Sequence, residues 1–280
     1  MKPLNVTLDD KYALEKGKAF MTGIQALVRV PLDQTRLDTA AGLNTAGFIS
    51  GYRGSPLGGY DQQLRAAQRY LDQYRIHLWE GLNEDLGATA VWGSQQAQAF
   101  EGHQYDGVFG IWYGKAPGVD RTGDVFKHAN FAGVDPNGGV LAIAGDDHNC
   151  KSSTLPSQSE FAFADAEIPV LSPATLQDVL DYGLYGIAMS RFSGAWSGMI
   201  ALADTMDSGG VFDVDIDRLK IIRPDFEFPA DGVGLRVGDI PMHKEERLRH
   251  VKLPAAQAFV RANGLDRVLL QAKKTRLGLV

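Results

Sequence analysis

The chain has 280 residues, 44% hydrophobic and 22% charged, a soluble globular composition with room for one large or two modest domains. Its formal net charge of −6 argues against a nucleic-acid partner or an anionic membrane surface, and its single cysteine, Cys150, excludes an internal disulfide or a four-cysteine iron–sulfur cluster within these residues. No apolar run approaches the ~18 residues of a membrane span, and the first residues are too charged for a signal peptide, so a cytoplasmic protein is expected.

In chain order, Ile24, Leu27, Val28, Leu32 and Leu37 predict a helix over 20–41, which Pro31 should kink or divide. Residues 47–51 read as a short buried strand. A loop, Tyr52-Arg53-Gly54-Ser55-Pro56-Leu57-Gly58-Gly59, leads from it to a helix over 60–74. Such a loop lets backbone approach a ligand closely, but it has neither the GxxxxGK[ST] nor the GxGxxG spacing, and taken alone it reads first as a plain tight turn.

The next unit is the most informative. Arg75-Ile76-His77-Leu78-Trp79-Glu80 alternates polar and apolar residues, as a half-buried strand does. Gly81 and Leu82 break the pattern. Asn83 is a good N-cap, and Glu84 and Asp85 place negative charge in a first helical turn. The small apolar residues after them let this helix lie close against a neighbour. Glu84 therefore stands at a strand-to-helix junction and has two readings: a charge that caps the helix, or a carboxylate facing a ligand at the carboxyl end of a parallel strand.

Residues 108–114 and 139–145 are near-continuous apolar runs, as in parallel strands covered on both faces. A Gly/Pro turn at 115–118 and a helix over 121–132 separate them. The second run ends in the most polar cluster of the chain, Asp146-Asp147-His148-Asn149-Cys150-Lys151-Ser152-Ser153. A short strand at 168–171, an amphipathic helix over 176–192 and a strand over 197–202 follow. The alternation predicts an α/β fold with a doubly wound, mostly parallel sheet and helices on both faces. Past residue 208 the pattern changes: an edge strand within 209–222, an extended loop over 223–242, and a helix over 244–263 broken at Pro254. The last residues, 276–280, read as the opening of another strand, which suggests a piece of a longer protein.

His148 beside Asp146 and Asp147, with His103, Asp106 and His128 in reserve, raises the question of a metal. No HExxH, CxxC or paired ligand spacing is present, so no metal site is expected, and a polar loop facing a small molecule explains the same residues. Without a GxSxG elbow, and with no clear helix N-terminus at Cys150, nucleophilic catalysis has little support. Lys115, Arg121 and Lys151 suit either a carboxylate or phosphate ligand or a solvated surface.

Three segments together resemble a known family. They are Gly51-Tyr52-Arg53-Gly54-Ser55-Pro56, then Asn83-Glu84 opening a small-residue helix, then a buried strand ending in Asp146-Asp147 with Ser152, Ser153 and Gln158 beyond it. The pattern is similar to the pyrimidine-binding domain of the thiamine diphosphate-dependent 2-oxoacid:ferredoxin oxidoreductases. Residues 113–130 and 145–153 resemble in particular the indolepyruvate ferredoxin oxidoreductases, in their fused bacterial form, and the likeness extends over essentially the whole chain.

The resemblance implies oxidative decarboxylation of an aryl-2-oxoacid on thiamine diphosphate, acyl transfer to coenzyme A, and two electrons passed through iron–sulfur clusters to ferredoxin. It implies that Glu84 hydrogen-bonds the aminopyrimidine ring nitrogen, a role that suits Glu84 better than Glu80. Gly54, Ser55 and Pro56 would form the cofactor-side loop, with Ser55 near the substrate carboxylate, and Asp146, His148 and Ser153 would line the substrate pocket. The family's magnesium and diphosphate signature, GDG followed by Asn residues, is absent, and so are its cluster cysteines. A half-site is therefore expected here, completed by later domains, commonly across a homodimer interface. Residues 1–208 would form the pyrimidine-binding domain, and 209–280 a linker and the start of a transketolase C-terminal-like domain. Two other readings stay open: the same scaffold acting on a different 2-oxoacid, and a non-catalytic α/β subunit whose Glu84 surface docks a partner chain.

Overall fold

A computed structural model describes residues 6–151, 155–236 and 238–278. After α1 (Asp10–Ala13) and β1 (Lys18–Thr22), α2 (Gly23–Ala40) leads into β2 (Thr45–Gly51). Two short helices, α3 (Tyr60–Ala66) and α4 (Gln68–Gln73), precede β3 (Ile76–Glu80). Next come α5 (Glu84–Ser94), β4 (Gly107–Lys115), α6 (Ala116–Arg121), α7 (Gly123–Ala132) and β5 (Val140–Asp146). The chain continues through α8 (Glu160–Asp165), β6 (Val170–Leu171), α9 (Leu176–Ser193), β7 (Ser197–Leu202), α10 (Ala203–Asp207) and β8 (Gly209–Asp213), and then α11 (Pro241–Arg247) and α12 (Leu253–Ala262).

Six strands form one sheet in the order β3-β2-β4-β5-β7-β6, every pair parallel. This is the doubly wound α/β architecture expected from the sequence. Leu27, Leu64, Leu184 and Ile187 pack on one face, and Val91, Trp112, Phe126 and Trp196 on the other. The central strands β4, β5 and β7 are buried almost throughout, which is why they read as unbroken apolar runs. The chain leaves β2 for the outer strand β3 and then returns, through α5, to β4 on the other side of β2. The strand order therefore reverses between β2 and β4, the point at which open α/β sheets bind ligands.

Several local expectations are corrected. The first helix begins at Gly23 rather than at residue 20, because Phe20 belongs to β1, which pairs antiparallel with β8. Thr22 and Gln25 close a capping box at the start of α2. Pro31 does not divide α2. Its missing N–H leaves the Leu27 carbonyl without its helical donor, and the buried Tyr60 hydroxyl donates to that oxygen at 3.4 Å. The helix over 60–74 is interrupted at Ala67, and the turn at 115–118 is instead the start of α6, where Pro117 is tolerated in the first turn.

Pro254 likewise sits in the first turn of α12, and α11 runs into α12 through a π-helical turn at 248–252. From that turn the buried Lys252 ammonium donates to the Asn130 and Phe131 carbonyls at 3.3 and 3.4 Å, and burial pulls its pKa down to about 7. Residues 276–278 form no strand, and residues 279 and 280 lie outside the described residues. Among the described residues no helix is long and apolar enough to cross a membrane.

Candidate functional site

The candidate residues lie on the segments that follow β2, β3, β4 and β5. Asn83, extended at φ −157°, accepts a hydrogen bond from the Leu86 amide at 2.9 Å and so starts α5 immediately after β3. Glu84 is the first residue of the helix. Two features fix it. The buried Trp112 indole, on β4, donates to the Glu84 carbonyl at 3.0 Å. The side chain itself lies on the backbone of α6, where a Cβ added to Gly118 would come within 2.3 Å of the Glu84 Cγ and 2.7 Å of its Oε1. The helix seats equally tightly on β2, since a Cβ at Gly87 would stand 2.8 Å from the Gly51 Cα. The small residues of α5 are thus what brings Glu84 to the junction of β2 and β4.

Glu80, at the end of β3, is held by Arg65 in an ion pair on the outer edge of the sheet. Glu84 has no ion-pair partner among the described residues. Tyr52, Trp79, Leu82 and Leu86, close to Glu84 in the sequence or just after β2, are exposed apolar residues.

The Gly54-Ser55-Pro56 loop crosses the ends of the neighbouring strands. A Cβ on Gly54 would meet the Lys115 Cβ at 2.7 Å, and one on Gly145 would meet the Pro56 Cδ at 2.9 Å. The loop therefore bridges β4 and β5, with Ser55 half-buried and a cis bond joining it to Pro56. Next to it a cleft of about 560 Å³ is lined by Lys115, Pro117, Asp120, Leu155, Ser157 and Phe161, among others.

At the end of β5, Asp146 is wholly buried. Its carboxylate accepts from the Ser159 hydroxyl at 2.6 Å and from the Ser159 amide at 2.8 Å. The half-exposed His148 lies 3.9 Å from it through Nε2. Ser153 lies outside the described residues. The other residues considered as metal ligands are elsewhere: His103 faces the Phe100 carbonyl, Asp106 holds the Asn44 amide at the amino end of β4, and His128 stacks on Trp92 beside Asp124.

Sequence reasoning missed Gly118, Trp112, Ser159 and Glu160. Trp112 hides in an apolar run, and Gly118 reads as a turn residue. Ser159 and Glu160 lie more than ten positions from the residues they join, so no local spacing marks them.

No protein-family model matches the chain, and no curated protein matches it in sequence. Its fold matches solved structures, among them a 2-oxoglutarate:ferredoxin oxidoreductase from Magnetococcus marinus with 2-oxoglutarate, coenzyme A and succinyl-CoA bound. The TM-score is 0.56 at 15% identity, over 88% of this chain and 46% of the other. The chain thus spans less than half the length of that enzyme's chain, and at this identity the likeness establishes the shared α/β fold.

Proposed function

We propose that this chain is the pyrimidine-binding portion of a thiamine diphosphate-dependent 2-oxoacid:ferredoxin oxidoreductase acting on aryl-2-oxoacids of the indolepyruvate type. The observation that carries the reading is the seating of Glu84: a carboxylate fixed at the switch point of the sheet, without an ion-pair partner among the described residues and pressed against Gly118. The sequence resemblance and the fold shared with a 2-oxoglutarate:ferredoxin oxidoreductase support it.

Thiamine diphosphate, when bound, supplies the nucleophilic carbon and electron sink that loss of carbon dioxide from a 2-oxoacid requires. The residues here fit its pyrimidine half. Glu84 would share a proton with the ring nitrogen, and its fixed position keeps the cost of reorganisation low. Gly54 and Pro56 would seat the loop closely on Lys115 and Gly145 and so set one wall of the ring's site, and Ser55 would hydrogen-bond the substrate carboxylate. Asp146, His148 and Ser153 would line the pocket beyond. Among the described residues the cleft beside Lys115 pairs that cation with the acidic Asp120, polar Ser157 and Gln158, and apolar walls from Pro117, Leu155 and Phe161, which would suit an aryl side chain.

The magnesium and diphosphate grip, the coenzyme A site, the iron–sulfur clusters and the ferredoxin contact would belong to the rest of the enzyme, in a cytoplasmic homodimer. Residues 1–208 would be the pyrimidine-binding domain and 209–280 the exit toward a transketolase C-terminal-like domain, anchored by β8 on β1 and α12 on α9.

The test is Glu84→Gln in the complete protein. Turnover of indolepyruvate should fall by roughly 10²–10⁴-fold, the range of a lost proton-transfer group, with circular dichroism and assembly unchanged. Unchanged turnover would remove Glu84 from the reaction and leave the partner-docking role. Preference for 2-oxoglutarate over indolepyruvate in the same assay would reassign the substrate and keep the scaffold.

A further inference from the structure

We propose that Asp146, His148 and Glu160 form a binding site for a divalent transition-metal ion of the zinc or manganese class. One ligand atom from each of the three lies within 4.8 Å of the others. Asp146 ends β5, His148 follows two residues later, and Glu160 opens α8 directly after Ser159, which hydrogen-bonds Asp146. Ligand atoms about 2.1 Å from a common ion stand roughly 3.4 Å apart, so a side-chain adjustment of rotamer scale closes the set.

Three further observations point to a ligand. First, the Glu160 Oε2 is buried and has no hydrogen-bond partner among the described residues. A carboxylate oxygen in that state has lost its water without gaining a donor, an expense that a bound cation removes. Second, Asp146 is oriented as metal-binding carboxylates are, by two hydrogen bonds from a neighbouring residue, here the Ser159 hydroxyl and amide. That leaves the flank of the carboxylate nearest His148 for another positive partner. Third, the site opens on one side into a small cavity of about 170 Å³ lined by Asp146, His148, Asn149, Lys151, Ala203 and Asp204, where water or a small ligand completes the coordination.

The donor set selects the ion. One imidazole nitrogen with two carboxylates is too poor in oxygen for calcium and includes a ligand that magnesium avoids, while it lacks the sulfur that copper(I) prefers. Zinc, manganese and iron(II) accept this mixture. The site shares Asp146 and His148 with the proposed pocket lining, but its test reads ion binding, not turnover, so its failure and the failure of the proposed reaction are told apart.

The experiment is calorimetric titration of the complete protein, first stripped with chelator, with zinc chloride and separately with magnesium chloride. Among the zinc sites of the complete protein, one saturable site should weaken at least tenfold in His148→Ala and in Glu160→Gln. Ser159→Ala should weaken it by about tenfold, the usual cost of losing a hydrogen bond behind a ligand. His148 is half-exposed and Glu160 only partly buried, so these variants do not remove core residues. Absence of a saturable zinc site would overturn the proposal. So would zinc binding unchanged in both variants, or magnesium binding as tightly as zinc.

Discussion

Two groups of carboxylates, one at each end of the parallel sheet, are used in opposite ways. At the amino end, Asp38 is buried and fully engaged: it accepts from Thr45 Oγ1 at 2.6 Å, from Gln34 Nε2 at 2.9 Å, and from both terminal nitrogens of Arg191 at 2.6 and 2.9 Å. Asp33 does the same in the neighbouring layer, bridging the buried Arg29 and Arg36, whose guanidinium groups also hold the Lys11, Leu14 and Tyr12 carbonyls. At the carboxyl end, Glu84 is positioned through its backbone and by the shape of its surroundings, while Asp146 and Glu160 converge with only part of their hydrogen-bonding capacity used. A buried charge with every lone pair occupied ties elements together. A rigidly held charge with capacity to spare is equipped for something outside the chain.

Three substitutions sharpen that contrast. The largest effect belongs to Asp38→Ala, which strands Arg191 in a buried position; it should cost about 3–5 kcal/mol of stability, read from the denaturant midpoint. Turnover per folded molecule should stay at the wild-type level. A loss below about 1 kcal/mol would mean that the amino-end pair is not structural in the sense argued here.

Gly118→Ala should do the reverse. Its methyl group needs the space that the Glu84 side chain occupies, so the carboxylate swings away and turnover drops about tenfold, equivalent to about 1.4 kcal/mol of barrier. Melting temperature should move little, because α6 itself gains a better helix former. Full activity in this variant would show that the seat of Glu84 is irrelevant to the reaction.

Tyr60→Phe is the mildest. It removes the hydroxyl that serves the Leu27 carbonyl opposite Pro31, and about 1 kcal/mol of stability should go with it. A neutral result would show that packing alone carries α2 past its proline.

Where structure follows from neighbours in the chain, the residues announced it. The Asn83 cap, the acidic first turn of α5 and the small residues behind it are local, and so are the apolar runs of β4, β5 and β7. Together they identified the doubly wound sheet and singled out Glu84. The pairing of β1 with β8 spans nearly 200 positions, and an antiparallel partner so distant leaves no periodic trace at either end. This is why Phe20 read as helical. Pro31 misled for a related reason: its cost is local, but the hydroxyl that offsets it comes from α3.

By itself, then, the sequence determined the sheet class, the strand ends that carry polar loops and the helix that begins at Glu84, because caps, turns and burial patterns act over a few residues. Only the tertiary structure decided which carboxylates are spent and which are open. That depends on contacts such as Gly118 against Glu84, Arg191 on Asp38, and Glu160 beside Asp146 and His148. Each joins residues that the backbone brings together only once the layers have packed.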